Sequence, residues 1–298
     1  MKKVIFPAML LVLAATGCSD DEKNTPNTRN LSGEWPVVVM PTDEHQPGVI
    51  TQMPMKITQY LAEGGVWRVD VKSFTLPSGD NLSFTTPDIF ASGEIDWSLR
   101  YISNFNAESG QVIRDYRAEL INNYYYFSNT GGNAGGTPPM GTIVASMFRV
   151  GGEYTVTVIP HIAYYGGTTV TQYQIKSEEV ESTFYEPLYY ITLDLKNMTA
   201  DLVIYNARFA DLMPALAAVN LRGLKLETSH EHGYTISGKN VVPSVGVGSN
   251  EVEYPQYVFD EIEMHPTNSL YTSCEIEYTV ANKYKGRFTG SYRVQEAK

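Results

Sequence analysis

Ile191-Thr192-Leu193-Asp194-Leu195 and, after a short polar break, Leu202-Val203-Ile204-Tyr205 decide the fold class of this chain. In the first run apolar and polar residues alternate, so Ile191, Leu193 and Leu195 fall on one face of a strand. In the second, Leu202 and Ile204 oppose Val203 and Tyr205, which predicts a strand covered on both faces. The same comb recurs on either side. Upstream, Tyr154, Val156 and Val158 alternate with threonines, and Ile95, Trp97 and Leu99 alternate with Asp96, Ser98 and Arg100. Val69 and Val71 alternate with Arg68, Asp70 and Lys72, and Met53, Met55 and Ile57 with Pro54, Lys56 and Thr58. Downstream, Arg287 to Val294 forms a last strand. Short strands of period two between turn residues predict an all-β protein built as an antiparallel barrel or sandwich. Closing such a sheet removes edges that otherwise invite aggregation. One segment departs from the pattern. Residues 206–219 are Ala-rich, with Phe209, Leu212, Met213 and Leu216 at helical spacing, so a short helical segment, kinked at Pro214, is expected between two strands.

The 298 residues suffice for one large or two ordinary domains. The strand series pauses at Pro160 and resumes at Tyr164, which divides the chain into β units at 31–160 and 161–298. The Gly- and Pro-rich stretch 131–139 reads as a long loop, and 176–186, rich in glutamate, as a second soft region.

The N-terminus has its own logic. Lys2 and Lys3 precede an almost wholly apolar run from Val4 to Ala15, then the small residues Thr16 and Gly17, then Cys18. The run is too short for a transmembrane span and contains Pro7. It resembles a bacterial lipoprotein signal, which implies removal of residues 1–17 and lipidation of Cys18. Residues 18–30 hold no large apolar side chain and are expected to be a flexible tether. Ser19-Asp20-Asp21-Glu22 resembles the acidic export tag of surface lipoproteins in the Bacteroidota. That resemblance implies an outer-membrane protein exposed at the cell surface, held to the membrane by its acyl chains. The net charge of −11 becomes more negative once Lys2 and Lys3 are removed. Such a surface repels phosphate backbones, so nucleic acid is not an expected partner.

Leu31-Ser32-Gly33-Glu34-Trp35 opens the folded region with the Gly-x-Trp of lipocalins and other calycins. Ile191 to Leu195, Ala200 to Ala210, Met213-Pro214 and Gly233-Tyr234-Thr235-Ile236 are similar to calycin-like lipoprotein domains of Bacteroides and its relatives. The resemblance covers the last part of the chain. It implies two calycin-like barrel units in tandem, with Trp35 closing the floor of the first and Tyr164 to Gly167 in the first strand of the second.

Candidate chemistry is sparse. The sequence holds no phosphate-binding loop, dinucleotide fingerprint, nucleophile elbow or His-Glu-x-x-His helix. His230 and His232 would share a strand face, but zinc needs further ligands, and a solvated pair explains them. The glutamates at 178, 179, 181, 186, 251, 253, 261, 263, 275 and 277 sit on polar faces or loops. Cys274 shares a strand face with Ile276 and Tyr278, as an inert core cysteine would. No catalytic residue, metal site or cofactor is expected. Tyrosine is over-used at 21 residues, with Tyr124 to Tyr126, Tyr164-Tyr165 and Tyr189-Tyr190 in runs. Adjacent tyrosines on a strand must point to opposite faces, one inward and one outward. Trp35, Trp67, Tyr125 and Tyr165 are the candidate ligand-contacting residues. Two functions fit: a surface lipoprotein holding a small apolar or amphipathic ligand or a glycan fragment in a barrel mouth, or a non-catalytic interaction module of an envelope complex. A concave cavity separates them.

Overall fold

The computed structural model describes residues 28–60, 66–79, 81–85, 89–90, 118–127, 141–150, 152–160, 162–268 and 271–293. Cys18, the tether up to Asn27, the comb at 95–99 and the stretch 131–139 lie outside the described residues.

The described residues form two antiparallel sheets. The first contains β1 (Thr28–Pro41), β2 (Val49–Tyr60), β3 (Val66–Thr75), β4 (Asn81–Thr85), β5 (Ile89–Phe90), β6 (Ala118–Phe127), β7 (Gly141–Val150) and β8 (Tyr154–Val158). Its order is β4-β3-β2-β1-β8-β7-β6, with β5 paired to β3, a half-barrel. Met53 and Met55 are buried as their alternation demands, together with Val37, Val39, Val156 and Val158.

The second sheet contains β9 (Ile162–Ile175), β10 (Glu178–Phe184), β11 (Leu188–Asp194), β12 (Thr199–Ala207), β13 (Leu216–Ser229), β14 (Gly233–Val241), β15 (Ser244–Val245), β16 (Val252–Glu253), β17 (Phe259–Pro266), β18 (Ser273–Val280) and β19 (Tyr284–Arg293). It runs β9-β11-β12-β13-β14-β17-β18-β19, and β19 returns to pair with β9. The result is a closed up-and-down barrel of eight strands. Closure brings two glycines face to face, Gly167 opposite Gly290. A side chain on Gly167 would collide with the Thr289 carbonyl oxygen, and one on Gly290 with the ring of Phe288. Only glycine lets these two strands meet with Phe288 folded over the join. The wall changes partner at β13, whose lower half pairs with β14 and whose upper half pairs with β15. Gly223, at φ +64°, forms the bulge between the two halves.

Two expectations are corrected. Residues 176–186 are not a soft loop. Lys176 and Ser177 take the left-handed backbone of a two-residue hairpin turn, and β10 returns along β9. Nor is there a helix over 206–219. Asn206 is left-handed at φ +54°, Ala207 pairs with Leu216, and the residues between them form the turns of a β12–β13 hairpin. Pro214 lacks the N–H a helix would use there, while both flanking strands are already paired into the barrel. Phe209, read as one face of that helix, is instead fully buried at the barrel end, and Leu212 is 93% exposed.

The half-barrel packs against the opposite end of the closed barrel. Val38, Ile50 and Ile159 join its core cluster. The Thr228 hydroxyl donates to the Gly48 carbonyl at 3.2 Å, and His230 Nε2 donates to the Gln46 carbonyl at 2.6 Å. Val37, Val38 and Val39 are therefore buried in succession, because β1 is covered on both faces at this point.

Candidate functional site

The interior of the closed barrel is filled by side chains. Tyr189 stacks on Phe288 with centroids 4.0 Å apart, and neither is exposed. Phe209 seals one end against Tyr257 at 5.5 Å and Phe259 at 6.0 Å. Tyr165, Tyr234 and Tyr271 crowd the other end, where Tyr234 meets Tyr271 edge-on at 5.5 Å. The polar tips are satisfied from within. The Tyr165 hydroxyl donates to the Tyr271 carbonyl at 3.3 Å, and the Tyr189 hydroxyl shares a hydrogen bond with Thr169 Oγ1 at 3.2 Å. Tyr165 is thus a core residue, not the lining of an open mouth. Cys274 is buried beside these rings, and burial pushes its thiol well above the usual range, so it stays protonated and unreactive.

Burial likewise raises the phenols of Tyr165, Tyr189, Tyr234 and Tyr278. The folded chain keeps protons that the unfolded chain releases near about pH 10. This contribution to stability is complete below that pH and is lost as pH rises through the window above it. Thermal melting followed by circular dichroism should give a markedly lower midpoint at pH 11 than at pH 8. Equal midpoints would show that the phenols are not buried as described.

The other candidate residues do not converge. Trp35 is half-buried on β1 opposite Met53. Trp67 lies on β3 and Tyr125 on β6, strands separated by β2, β1, β8 and β7 in the sheet order. The side chains of Trp67 and Tyr125 lie outside the described residues.

Among the described residues, three features stand out on the outside. The first is a cleft of about 600 Å³ where the half-barrel meets the closed barrel, lined by Met40, Thr155, His230, His232, His265 and Tyr271 among others. The turn between β13 and β14 holds the His230–His232 pair, and His232 stacks on His265 with centroids 4.1 Å apart. His265 Nδ1 is buried without a hydrogen-bond partner. Among the described residues no cluster of three His, Cys, Asp or Glu has the geometry to hold a metal. The second is a groove of about 630 Å³ across β17, β18, β19 and β9, where Glu263 faces Glu277. Two of its carboxylates are drawn into ion pairs, Glu261 with Lys239 at 3.0 Å and Glu277 with Arg287 at 3.8 Å, and Arg287 also holds Glu275 at 2.7 Å. Exposed carboxylates such as Glu261 and Glu277 on an open wall resemble a solvated face more than an acid–base pair.

The third feature is aromatic. Tyr164 on β9 and Tyr190 on β11 are register partners, and their rings meet at 4.5 Å. Tyr205 on β12 sits diagonally from Tyr190, opposite Leu188. All three are half-buried, and each points outward because its inner neighbour, Tyr165, Tyr189 or Ile204, fills the core. Burial and their mutual proximity raise the phenols of Tyr164 and Tyr205, which therefore stay protonated. Sequence reasoning assigned one tyrosine of each adjacent pair to the outside but had no signal for which one, or for their meeting across strands.

Comparison with protein-family models and with curated proteins returned no match.

Proposed function

We propose that this chain is a lipid-anchored, non-catalytic binding module of the bacterial cell envelope, calycin-like in its barrel, which recognises its partner with the outside of the barrel. The observation that carries the reading is the packed interior, in which Tyr189, Phe288, Phe209, Tyr165 and Tyr234 occupy the space a small apolar ligand would need. A barrel that holds such a ligand needs a concave apolar cavity of several hundred cubic ångströms. Open external surfaces suit a partner that remains partly in solvent. Anchorage rests on the signal-like segment before Cys18. Each buried methylene of an acyl chain contributes about 0.8 kcal/mol, so two or more chains hold firmly. The acidic residues that follow favour an outer-membrane, surface-facing position.

Cys18→Ser tests the anchor. In the native host the wild-type chain is expected to incorporate a labelled fatty acid and lose residues 1–17, and the variant to incorporate none, whether its leader is retained or cut elsewhere. Absence of label from the wild-type chain, or equal labelling of both, would overturn the lipoprotein reading.

A further inference from the structure

The outer edge of β10 is a free strand edge lined with carboxylates, and we propose that it docks an extended, lysine- or arginine-rich segment of a partner protein, which adds to the sheet as one more strand. The inference rests on the reading of the chain as a binding module that works from outside the barrel, and it names the partner's chemistry.

The edge follows from the topology. β10 and β11 run one after the other along β9. β12 pairs with β11 as far as Tyr205 opposite Leu188, then leaves at Asn206, where φ is +54°. The turns that follow fold over the barrel end, where the Asp211 amide donates to the Tyr173 hydroxyl at 3.3 Å. Among the described residues, Glu178–Phe184 therefore has β9 on one side and no strand on the other. Its seven residues span about 23 Å. The two-residue turn at Lys176 and Ser177 makes Ile175 and Glu178 a hydrogen-bonded pair, so Val180, Ser182 and Phe184 bond to β9. The amides and carbonyls of Glu179, Glu181 and Thr183 point the other way. All three residues are exposed, and among the described residues no backbone partner meets them. An incoming strand finds those groups already spaced for a ladder. Tyr185, 71% exposed at the end of β10, offers an apolar contact beside it.

Charge selects the partner. Glu178, Glu179, Glu181 and Glu186 are exposed and form no ion pair among the described residues. The Glu181 carboxylate accepts from Gln172 Nε2 at 3.1 Å and that of Glu186 from the Tyr185 amide at 3.2 Å, both neutral donors. Cations border the edge at Lys176 in the turn, at Arg208 beyond β12, and at Lys285, opposite Gln172 on β19. Arg287, opposite Val170, is held by Glu275 and Glu277. With Asp211 the acids of the edge outnumber its cations, and Glu181 also lines the groove that holds Glu261, Glu263 and Glu277. A cationic strand is attracted by this field. A second copy is not. Pairing β10 with its own antiparallel image about its centre sets Glu181 against Glu181, and like charges directly opposite destabilise a sheet.

The test is fluorescence anisotropy with the full chain in mild detergent and about 0.15 M salt. The probe is a capped, labelled peptide of about ten residues with lysine at every second position. Two comparison peptides carry glutamate in place of lysine, or keep the lysines and have N-methylated backbone amides. The lysine peptide is expected to bind, and both comparisons at least about tenfold more weakly. Thr183→Pro removes an outward-facing amide without touching a bond to β9, and should weaken binding at least about tenfold. The pair Glu179→Lys and Glu181→Lys should do the same, while Glu227→Lys, on β13, should leave it within about twofold. Circular dichroism melting confirms that each variant is folded. The proposal is overturned if the lysine peptide does not bind, if either comparison peptide binds equally, or if the folded edge variants bind as wild type does. It is equally overturned if light scattering shows a dimer that Thr183→Pro dissolves, which would make the edge an interface between copies. Those results leave the Cys18→Ser labelling and the packed interior as they stand, whereas a ligand found inside the barrel would overturn the module reading and leave the peptide result untouched.

Discussion

Alanine at Gly167 is expected to break the closure of the barrel. The added methyl would meet the Thr289 carbonyl oxygen and the Gly290 Cα, both main-chain atoms of the adjoining strand. A clash with a side chain is relieved by a rotamer change, but a clash with a paired backbone requires the strands to part. Gly167 lies within the β9–β19 ladder, with register partners on either side of the contact. Separating the strands there sacrifices the hydrogen bonds that turn an open sheet into a barrel. The cost should reach about 3 kcal/mol or more, a fall in melting temperature of roughly 10 °C for a unit of this size. Chemical denaturation followed by fluorescence checks it. As a control, alanine at Gly79, where nothing lies within 4 Å, meets no such clash, although its φ of +91° carries a strain of its own. A Gly167→Ala protein as stable as wild type would mean that β9 and β19 do not meet as described.

Phe288→Ala is the second large effect. Phe288 has no exposed surface, stacks on Tyr189 and folds over Gly290. Truncating a buried phenylalanine costs about 3–5 kcal/mol, through lost burial and the cavity left behind. A void in an aromatic interior stays dry and accepts a small apolar molecule. The variant should therefore melt lower and be partly rescued by benzene or indole, while the same additives leave the wild type unchanged. Equal stabilisation of wild type by either compound would show that the native barrel already has room for a ligand.

The strands were legible because burial enforces period two. Ile191 and Leu193 turned inward, Met53 and Met55 did the same in the other sheet, and the Tyr189-Tyr190 pair split between faces. Where burial gave no such constraint, local pattern misled. Residues 206–219 carry helix-forming alanines at helical spacing, yet the pairing of Ala207 with Leu216 outweighs that preference. The acidic run at 178–186 seemed too polar for a strand, but β10 needs only Ser182 and Phe184 buried to hold its place beside β9. External sites were not legible at all. His232 meets His265, and Tyr164 meets Tyr190, only because β14 pairs with β17 and β9 with β11. Those pairings belong to the topology and leave no trace in local spacing. Sequence marks Trp35 and Tyr165 only as aromatics at prominent positions, and Tyr165 is the inward member of its pair.

We propose a solid barrel that works from its outer face, on a chain held to the membrane by lipid at Cys18. Native mass spectrometry of the protein extracted from membranes in mild detergent addresses both halves at once. The expected mass is that of the chain from Cys18 onward plus its acyl groups, with no small molecule retained. An unlipidated chain that still carries its first residues, or a stoichiometric apolar ligand released only on unfolding, would contradict it.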